Sequence, residues 1–301
     1  MMKNNKFFLL VILFLIFSIN SHAEDPIAQA KQYFQMGKYD ESLKICNNIK
    51  RVYPDSEWVL SASLLSAQIY QKKNQIEKAV NEYSSIIKDF KKTPQAEEAF
   101  FEIARMFMLK GNNERAIHAY DLYLNNYAHG QYKVMALFNI ASICKDGKNY
   151  DKALTYYDEI LKNYVSDAWF YNWSAIYSAE IYHEKKKYDK ANEYYDMVIK
   201  NEDNKYLYNL ATLYKGINFI DKGDYKPAED LFQNMIKNNA LFTEESLIGL
   251  AIVQYKQEEY DLSRESLSAL LDDFPDTIWK SYAEEKIRII DKKLAKIKQK
   301  E

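Results

Sequence analysis

The sequence predicts an all-α fold of about seven stacked helical hairpins, because a short phrase recurs at a regular period and helix breakers are rare. The phrase reads GKNYDKALTYY from Gly147 to Tyr157, and related versions cover almost the whole chain. Its small residue repeats at intervals of 37, 37, 37, 38, 37 and 35 residues, a period typical of stacked structural repeats. Seven glycines and five prolines in 301 residues favour long helices joined by tight turns. The repeated small residues are Ser42, Ala79, Ala116, Ala153, Ala191, Ala228 and Ser263.

Each period carries two helical patterns. In the third copy, Ala104 and Phe107 lie on one helical face, the Gly111–Asn113 segment interrupts the pattern, and Ala116 and Tyr120 resume it. A small residue on the first helix precedes the small residue of the second helix by 12 positions in every copy, which predicts close approach of the two helices near their turn. We expect the glycine of the phrase to serve the turn and its tyrosines to pack between hairpins. The small residues of the first helix are Ala30, Ala67, Ala104, Ala141, Ala179, Gly216 and Ala251.

The N-terminal segment has the pattern of a secretory signal peptide. Lys3 and Lys6 precede the apolar run Phe7–Phe17, and Ser21–Ala23 offers small residues for cleavage. We therefore expect a signal peptide over residues 1–23 and an exported chain, periplasmic or secreted. The alternative of a permanent membrane anchor is less favoured, because the run is shorter than the roughly 20 residues that span a bilayer. No cysteine follows the run to accept a lipid, so we expect a soluble mature chain.

The charge argues against a nucleic-acid partner, and the positions of the cysteines argue against a disulfide. The formal net charge is −2, and it becomes −4 when Lys3 and Lys6 are removed with the signal. Nucleic acid is therefore not an expected partner, since nucleic-acid binding needs a basic face. Cys46 and Cys144 lie almost three repeats apart, too far for a disulfide if the repeats stack. We expect both to be small buried side chains.

No catalytic motif or metal-binding pattern is present in the sequence. The three histidines that follow the signal, His118, His129 and His183, fall in different repeats. The pair His183-Glu184 begins like a zinc-protease motif, but Lys187 stands where the second histidine ligand is needed. Acidic residues are scattered among lysines on helix surfaces, where i to i+4 pairing explains them. We therefore expect neither an enzyme nor a cofactor or metal site.

The chain continues beyond the seventh copy as one more amphipathic helix, from Thr277 to Lys298. A stack of repeats leaves its last apolar face uncovered, and a terminal helix with one polar side is the usual cap. The same spacing suits a coiled-coil seam, so a dimer formed through this helix is the alternative to a capped monomer. We place the repeats in residues 24–276 and the capping helix with its basic tail in residues 277–301. The apolar stripe is Trp279, Ala283, Ile287, Ile290, Leu294 and Ile297.

The repeats resemble the tetratricopeptide family. The resemblance rests on the small residue of the first helix, an aromatic three residues later such as Tyr70, the G-x-Y-D-x-A turn, and an aromatic four residues beyond the small residue of the second helix. It covers about Asp25 to Asp276 and implies a right-handed α-α superhelix. The pitch is longer than the family's 34 residues. The motifs YPDS and FPDT are also similar to envelope members, namely the assembly lipoprotein of the outer-membrane β-barrel machinery and the periplasmic partner of the Tol-Pal system.

The resemblance implies that a partner binds in the concave groove lined by the first helices. The function expected is a non-catalytic scaffold or adaptor in the cell envelope that binds a peptide or helix there. The alternatives are a chaperone-like carrier of unfolded outer-membrane proteins and an enzyme of a new type. Trp173 is the strongest single candidate, since tryptophan is enriched in interface hot spots; for each apolar candidate, burial between repeats is the competing explanation. The first-helix candidates are Phe101, Arg105, Met108, Met135, Phe138, Trp173, Ile176, Glu180, His183, Leu213 and Ile217, with Ser142, Ile220, Ile248, Ile252 and Tyr255 at matching positions.

Overall fold

A computed structural model describes residues 26–200, 204–238 and 241–299 of the chain, and over these ranges it forms fifteen helices and no strand. The predicted signal peptide, residues 1–23, lies outside the described residues. The first helices of the seven hairpins are α1 Pro26–Gln35, α3 Trp58–Lys72, α5 Pro94–Leu109, α7 Lys133–Asp146, α9 Ala168–Glu184, α11 Lys205–Lys222 and α13 Thr243–Lys256. The second helices are α2 Tyr39–Val52, α4 Ile76–Asp89, α6 Asn113–Asn126, α8 Tyr150–Asn163, α10 Tyr188–Ile199, α12 Tyr225–Lys237 and α14 Tyr260–Asp273, and α15 Lys280–Lys298 follows them.

The chain divides into two compact units, with the boundary between Ala136 and Leu137 in α7. In the first unit, α1 to α6 pack each on the next, and the first helix of one hairpin also contacts the first helix of the following one. The second unit repeats this arrangement from α8 to α15. The predicted fold class, an all-α repeat of stacked helical hairpins, is confirmed. Among the described helices, none is long and apolar enough to cross a membrane.

The small residues of the two helices in each hairpin form the close contact that their spacing predicts. In the first hairpin the Ser42 hydroxyl donates to the Ala30 carbonyl at 2.7 Å, and in the last hairpin Ser263 donates to Ala251 at the same distance. These side-chain bonds cross between helices whose backbones are close enough for a serine to reach. In the other five hairpins the small residues are alanines, apart from Gly216, and these alanines are fully buried, as with Ala104. The small residues therefore set the hairpin geometry.

The turn of every hairpin contains one residue in the left-handed conformation, five positions before the small residue of the second helix. The next residue donates its backbone N–H to a carbonyl five positions earlier, as Lys38 does to Tyr33 at 2.9 Å, which is the Schellman arrangement at a helix C-terminus. In the fourth copy the left-handed residue is Lys148 rather than Gly147, although Gly147 also lies in the turn. The seven left-handed residues are Gly37, Asn74, Gly111, Lys148, Lys186, Gly223 and Glu258.

The residue four positions beyond the small residue of the second helix is buried in every copy. Five of the seven are aromatic, and these rings fill the space between neighbouring hairpins, as the sequence predicts. Three of the tyrosine hydroxyls are hydrogen-bonded to first-helix side chains: Tyr83 to Gln71 at 3.4 Å, Tyr120 to Met108 at 4.0 Å and Tyr157 to Ser142 at 3.2 Å. The hydroxyl groups thus keep partners inside the stack, as buried polar groups require. The seven residues are Cys46, Tyr83, Tyr120, Tyr157, Tyr195, Phe232 and Leu267.

Helix α15 packs on the last hairpin with most of its apolar stripe. Ala283 and Ile290 are buried in one cluster with residues of α13 and α14, and Trp279, Ile287 and Leu294 are partly buried there. Polar contacts accompany this packing, including an ion pair between Arg264 and Asp291 at 2.8 Å. The helix therefore covers the apolar face of the seventh hairpin. Its last stripe residue, Ile297, is exposed.

Both cysteines lie in the described part of the chain, where each is a buried thiol, as predicted. Burial raises the pKa of the Cys46 thiol, which keeps it protonated and unreactive.

Candidate functional site

The predicted contact residues of the first helices separate into a buried set and an accessible set. Five predicted residues lie three positions before the small residue of the first helix, and all five are buried. Such a residue points into the layer between helices, so its side chain packs in the stack. The Phe101 ring, for example, stacks on Tyr132 with ring centroids 4.8 Å apart and lies 5.6 Å from Tyr120. For this set the competing explanation, burial between repeats, holds. The five residues are Phe101, Phe138, Ile176, Leu213 and Ile248.

The remaining predicted residues are accessible, because they lie one or four positions after the small residue or six before it. These positions face outward from the first helices, and we call the surface that they form in each unit its first-helix face. Arg105, Met108 and Met135 contribute to the first-helix face of the first unit. Trp173, Glu180, His183 and Ile217 contribute to that of the second unit.

In the first unit Arg105, the predicted polar contact residue, is paired with a carboxylate of its own helix. Arg105 forms two hydrogen bonds to the Glu102 carboxylate, at 2.9 and 2.7 Å, and Glu102 also accepts from Gln71 at 3.1 Å. Glu98, one turn earlier on α5, is half-buried; burial, followed by the negative charge of Glu102, raises the pKa of its carboxyl. The first-helix face of this unit therefore carries a partly desolvated carboxyl next to an ion pair.

In the second unit three aromatic residues form a continuous row along α9. Trp169, Trp173 and Tyr177 are spaced four residues apart, which places them on one helical face. The ring centroids of Trp169 and Trp173 are 6.4 Å apart, and those of Trp173 and Tyr177 are 5.4 Å apart. We call these three residues the aromatic strip. Trp169 is 54% exposed, so the strip begins with a large apolar side chain in solvent.

The aromatic strip rests on a rigid aromatic base. Phe138 from α7 lies beneath it, with its ring centroid 5.3 Å from Trp169 and 5.8 Å from Tyr177. Phe170 contacts both Phe138 and Trp169 edge-on, at 5.4 and 4.8 Å. Such tilted and edge-on contacts are favourable for aromatic pairs and hold the exposed rings in place. The strip is therefore preorganised rather than flexible.

An ordered ion pair lies at the C-terminal end of the strip. Lys145 Nζ is 2.9 Å from Glu180 Oε2 and lies 4.4 Å above the Tyr177 ring. Burial by itself lowers the pKa of Lys145, but the hydrogen bond and charge of Glu180 outweigh it and raise that pKa. The lysine is therefore a fixed cation beside an aromatic ring, stabilised by both neighbours.

His183 is held in one orientation by a buried asparagine. The Asn218 amide group donates to the Tyr188 carbonyl at 2.8 Å and to Asn192 Oδ1 at 2.7 Å. Its oxygen therefore faces His183 Nδ1, at 2.8 Å, and that ring nitrogen must be the donor. The other ring nitrogen lies 3.3 Å from an Asp221 carboxylate oxygen. The imidazole is thus fixed, with its second nitrogen directed at an acidic group.

The structure brings three predicted residues of the second unit together. Glu180, His183 and Ile217 line one cavity of about 430 Å³, which also includes Lys145 and Tyr214. The cavity combines a fixed cation, a fixed imidazole and apolar walls. It can hold a polar side chain of a partner whose apolar residues lie on the aromatic strip.

Sequence reasoning missed several residues of this site. Trp169 and Tyr177 carry a detectable signal, since with Trp173 they repeat every four residues along a helix. Lys145 had no such signal, because its position beside Tyr177 depends on how two hairpins pack. Asn218 could have been suspected as an asparagine within an otherwise apolar helical stretch. Over the ranges that the structure describes, no group of three or more His, Cys, Asp or Glu side chains could hold a metal ion.

Comparison with known proteins identifies the repeat. Residues 61–165 match the family model of a tetratricopeptide repeat-like domain, and residues 28–56 and 245–277 match that of the tetratricopeptide repeat. No curated protein gives a match.

Several solved structures are similar in fold. The chain aligns with the C-terminal part of a TPR repeat-containing protein from Cytophaga hutchinsonii, with a TM-score of 0.64 and 15% identity over 87% of this chain and 99% of that one. It aligns with the apo form of RapI with a TM-score of 0.60 and 16% identity, over 87% and 79% of the two chains. A third match is a chain in the structure of Naa15/Naa10 bound to HypK-THB, with a TM-score of 0.55 and 16% identity over 88% of this chain. This protein spans 38% of the length of that third chain.

The family models match segments near the start, in the middle and near the end of the repeat region, and the hairpins have the fold of the solved TPR structures. The chain therefore belongs to the tetratricopeptide repeat family.

Proposed function

We propose that this protein is a non-catalytic scaffold or adaptor that binds a peptide or helix of a partner protein on the first-helix face of its second unit. Tetratricopeptide repeat proteins are generally interaction scaffolds, and helix-in-groove recognition uses an apolar surface with a few polar groups that fix orientation. The aromatic strip supplies that surface. The observation that carries the proposal is Trp169, which is 54% exposed yet held by Phe138 and Phe170.

Three features of the strip support a binding role. Its rings are supported from below, so little side-chain entropy is lost when a partner covers them. Tryptophan and tyrosine are enriched in interface hot spots. The Lys145–Glu180 pair and His183 provide fixed polar groups at one end, which gives a bound segment a direction. Together these features favour one oriented partner segment.

Photo-crosslinking tests this assignment. A crosslinking amino acid replaces Trp173 in the cell, with a second version carrying it at Ile278, which is 88% exposed and lies outside the strip. The proposal requires that one partner is captured from position 173 and not from position 278. The same partner must co-purify at a defined stoichiometry with the protein that carries no crosslinker. A broad set of unfolded outer-membrane proteins from position 173 would favour the carrier hypothesis instead. If Trp173→Ala destabilises the protein but the same partner still co-purifies with it, the assignment of the face is wrong.

We further propose that the protein works in the cell envelope. The support is the pattern of residues 1–23, a basic start followed by an apolar run and small residues. Fusion of these residues to a reporter that is active only after export tests the proposal. Export of the reporter, and its loss when a charged residue replaces Leu10 in the apolar run, is the expected result; a reporter that stays inside the cell contradicts it.

A further inference from the structure

A second cavity lies at the C-terminal end of the second unit, away from the aromatic strip in the sequence. It has a volume of about 290 Å³ and lies between α13, α14 and α15. Its floor includes Ala251, Ser263 and Leu267. The first two are the small residues at the close contact of the seventh hairpin, and the third is the buried residue that follows in the second helix. We call this space the C-terminal cavity.

The cavity exists because the last hairpin lacks a ring that five others have. At the position of Leu267, the second to sixth hairpins carry Tyr83, Tyr120, Tyr157, Tyr195 and Phe232. Leu267 is buried like them, but it is shorter than an aromatic side chain. Neither Ala251 nor Ser263 is large enough to fill the remaining volume. The space corresponds to the place of an aromatic ring in the repeat pattern.

The walls of the cavity are apolar and reach solvent. Ile252 and Tyr255 come from α13, and Tyr282 and Ile289 come from α15. Ile289 is 38% exposed although it is a large aliphatic residue, and it lies outside the apolar stripe of α15. An apolar side chain entering from solvent would bury its own surface and that of Ile289, which favours binding.

The charge at the mouth of the cavity has one sign. The charged side chains that line it are Lys256 and Lys286, and no carboxylate is part of the lining. A third ammonium group, on Lys293, lies 4.7 Å from the Tyr255 ring centroid. Within the ranges that the structure describes, neither Lys256 nor Lys286 is in an ion pair. Two unneutralised cations beside an apolar cavity attract carboxylates, not cations.

We propose that the C-terminal cavity binds one aromatic side chain of a partner segment whose neighbouring residues are acidic. This inference rests on the proposed function, since it assumes a protein partner, and it adds a second contact with defined chemistry. The ring supplies apolar burial at the position where the repeat pattern leaves a ring out. The flanking carboxylates pair with Lys256 and Lys286, which selects acidic segments over basic ones.

A set of matched peptides tests the proposal. The probe is a short blocked peptide with one phenylalanine between two pairs of glutamates; one control replaces the phenylalanine by alanine and another replaces the glutamates by lysines. Methyl NMR of the isoleucines locates the site, and titration gives the affinity. We expect the probe to shift the methyl signals of Ile252 and Ile289. The alanine control should bind about tenfold or more weakly, because it lacks the buried ring. The lysine control should also bind more weakly, because its charges repel Lys256 and Lys286.

Substitutions in the protein provide the second arm. Leu267→Phe restores the ring of the other hairpins and fills the cavity, so we expect loss of probe binding with the unfolding temperature kept or raised. The double substitution Lys256→Glu and Lys286→Glu is expected to weaken binding of the probe and to strengthen binding of the lysine peptide. Lys292→Glu makes one such charge change on the exposed side of α15 and is the matched control. If Leu267→Phe fails to fold, the charge-reversal pair still decides the question.

Several results would overturn the inference. They are equal affinity for the phenylalanine and alanine peptides, unchanged binding in the charge-reversed variant, or methyl shifts that depend on protein concentration without peptide, which would assign the cavity to a second copy. Trp173→Ala separates this site from the proposed function. If that variant loses the cellular partner but keeps probe binding at Ile252 and Ile289, the two sites are independent.

Discussion

The ring of Phe232 lies directly against the backbone of Gly216: a Cβ atom on the glycine would be 2.6 Å from the ring atoms Cε1 and Cζ. Gly249 faces the same ring from α13, where a Cβ would also come within 2.6 Å. Phe232 is fully buried between these two helices. Glycine is therefore required at the small position of the sixth hairpin because its second helix carries a ring that occupies the space of a methyl group.

This contact predicts that Gly216→Ala and Gly249→Ala each destabilise the second unit by about 1–3 kcal/mol, the usual range for overpacking a core. Phe232→Leu should restore part of that loss in the double variant, because it removes the atoms that clash. Urea unfolding followed by circular dichroism gives the comparison. Gly147→Ala is the control, since the nearest atom to its new Cβ is 3.4 Å away. Equal stability of Gly216→Ala and the wild type would contradict the described packing.

The turns predict a stabilising substitution. Lys186 adopts a left-handed conformation, with φ at 55°, that glycine tolerates better than lysine. We expect Lys186→Gly to raise the free energy of unfolding by about 0.5–1 kcal/mol. Lys187→Gly, at the next residue with φ at −93°, should instead lower it. Thermal unfolding of the two variants under identical conditions checks the sign, and a loss of stability in Lys186→Gly would show that the turn is not formed as described.

The environment of Glu98 predicts that replacing it by glutamine stabilises the protein to an extent that depends on pH. Burial, and then the charge of Glu102, raise the pKa of the Glu98 carboxyl above its unfolded value. The folded state therefore binds a proton more tightly than the unfolded state, so stability falls as pH rises through the window above the ordinary glutamate pKa. Glu98→Gln should be more stable than wild type at neutral pH, and the difference should disappear in acid.

Unfolding midpoints of Glu98→Gln and wild type at about pH 7 and about pH 4 test this sign. Glu114→Gln, an exposed residue in the first turn of α6, is the matched control and should change little at either pH. A Glu98→Gln variant that is less stable at neutral pH would show that the carboxylate has a favourable partner in the folded state.

The hairpins could be predicted from the sequence because their signals are local. The small residues recur at one spacing, and the 12-residue interval between Ala30 and Ser42 becomes a hydrogen bond in the structure. The left-handed residue of the turn was harder to predict. Lys148 occupies a position that glycine fills in three copies, although a glycine, Gly147, lies directly before it. Local sequence patterns thus predict the repeats more reliably than they predict the backbone conformation of each residue.

The candidate site was predicted only in part, for a physical reason. Phe101 and Met108 are both apolar residues of the same helix, and only their angular position relative to neighbouring hairpins makes the first buried and the second accessible. Trp169 depends on Phe138 from another hairpin for its support. Such relationships arise between repeats, so the composition of a single repeat does not specify them.

The affinity of the purified crosslinked partner for the Trp169→Ala variant tests most directly whether the aromatic strip binds that partner. We expect a loss of about tenfold or more, typical of an interface hot spot. The unfolding midpoint should fall only slightly, because Trp169 loses its ring contacts to Phe138 and Phe170 but is 54% exposed. Ile278→Ala removes an even more exposed apolar side chain outside the aromatic strip and should bind like wild type. Equal affinity of Trp169→Ala and wild type would contradict the claim that the second unit binds its partner through the aromatic strip.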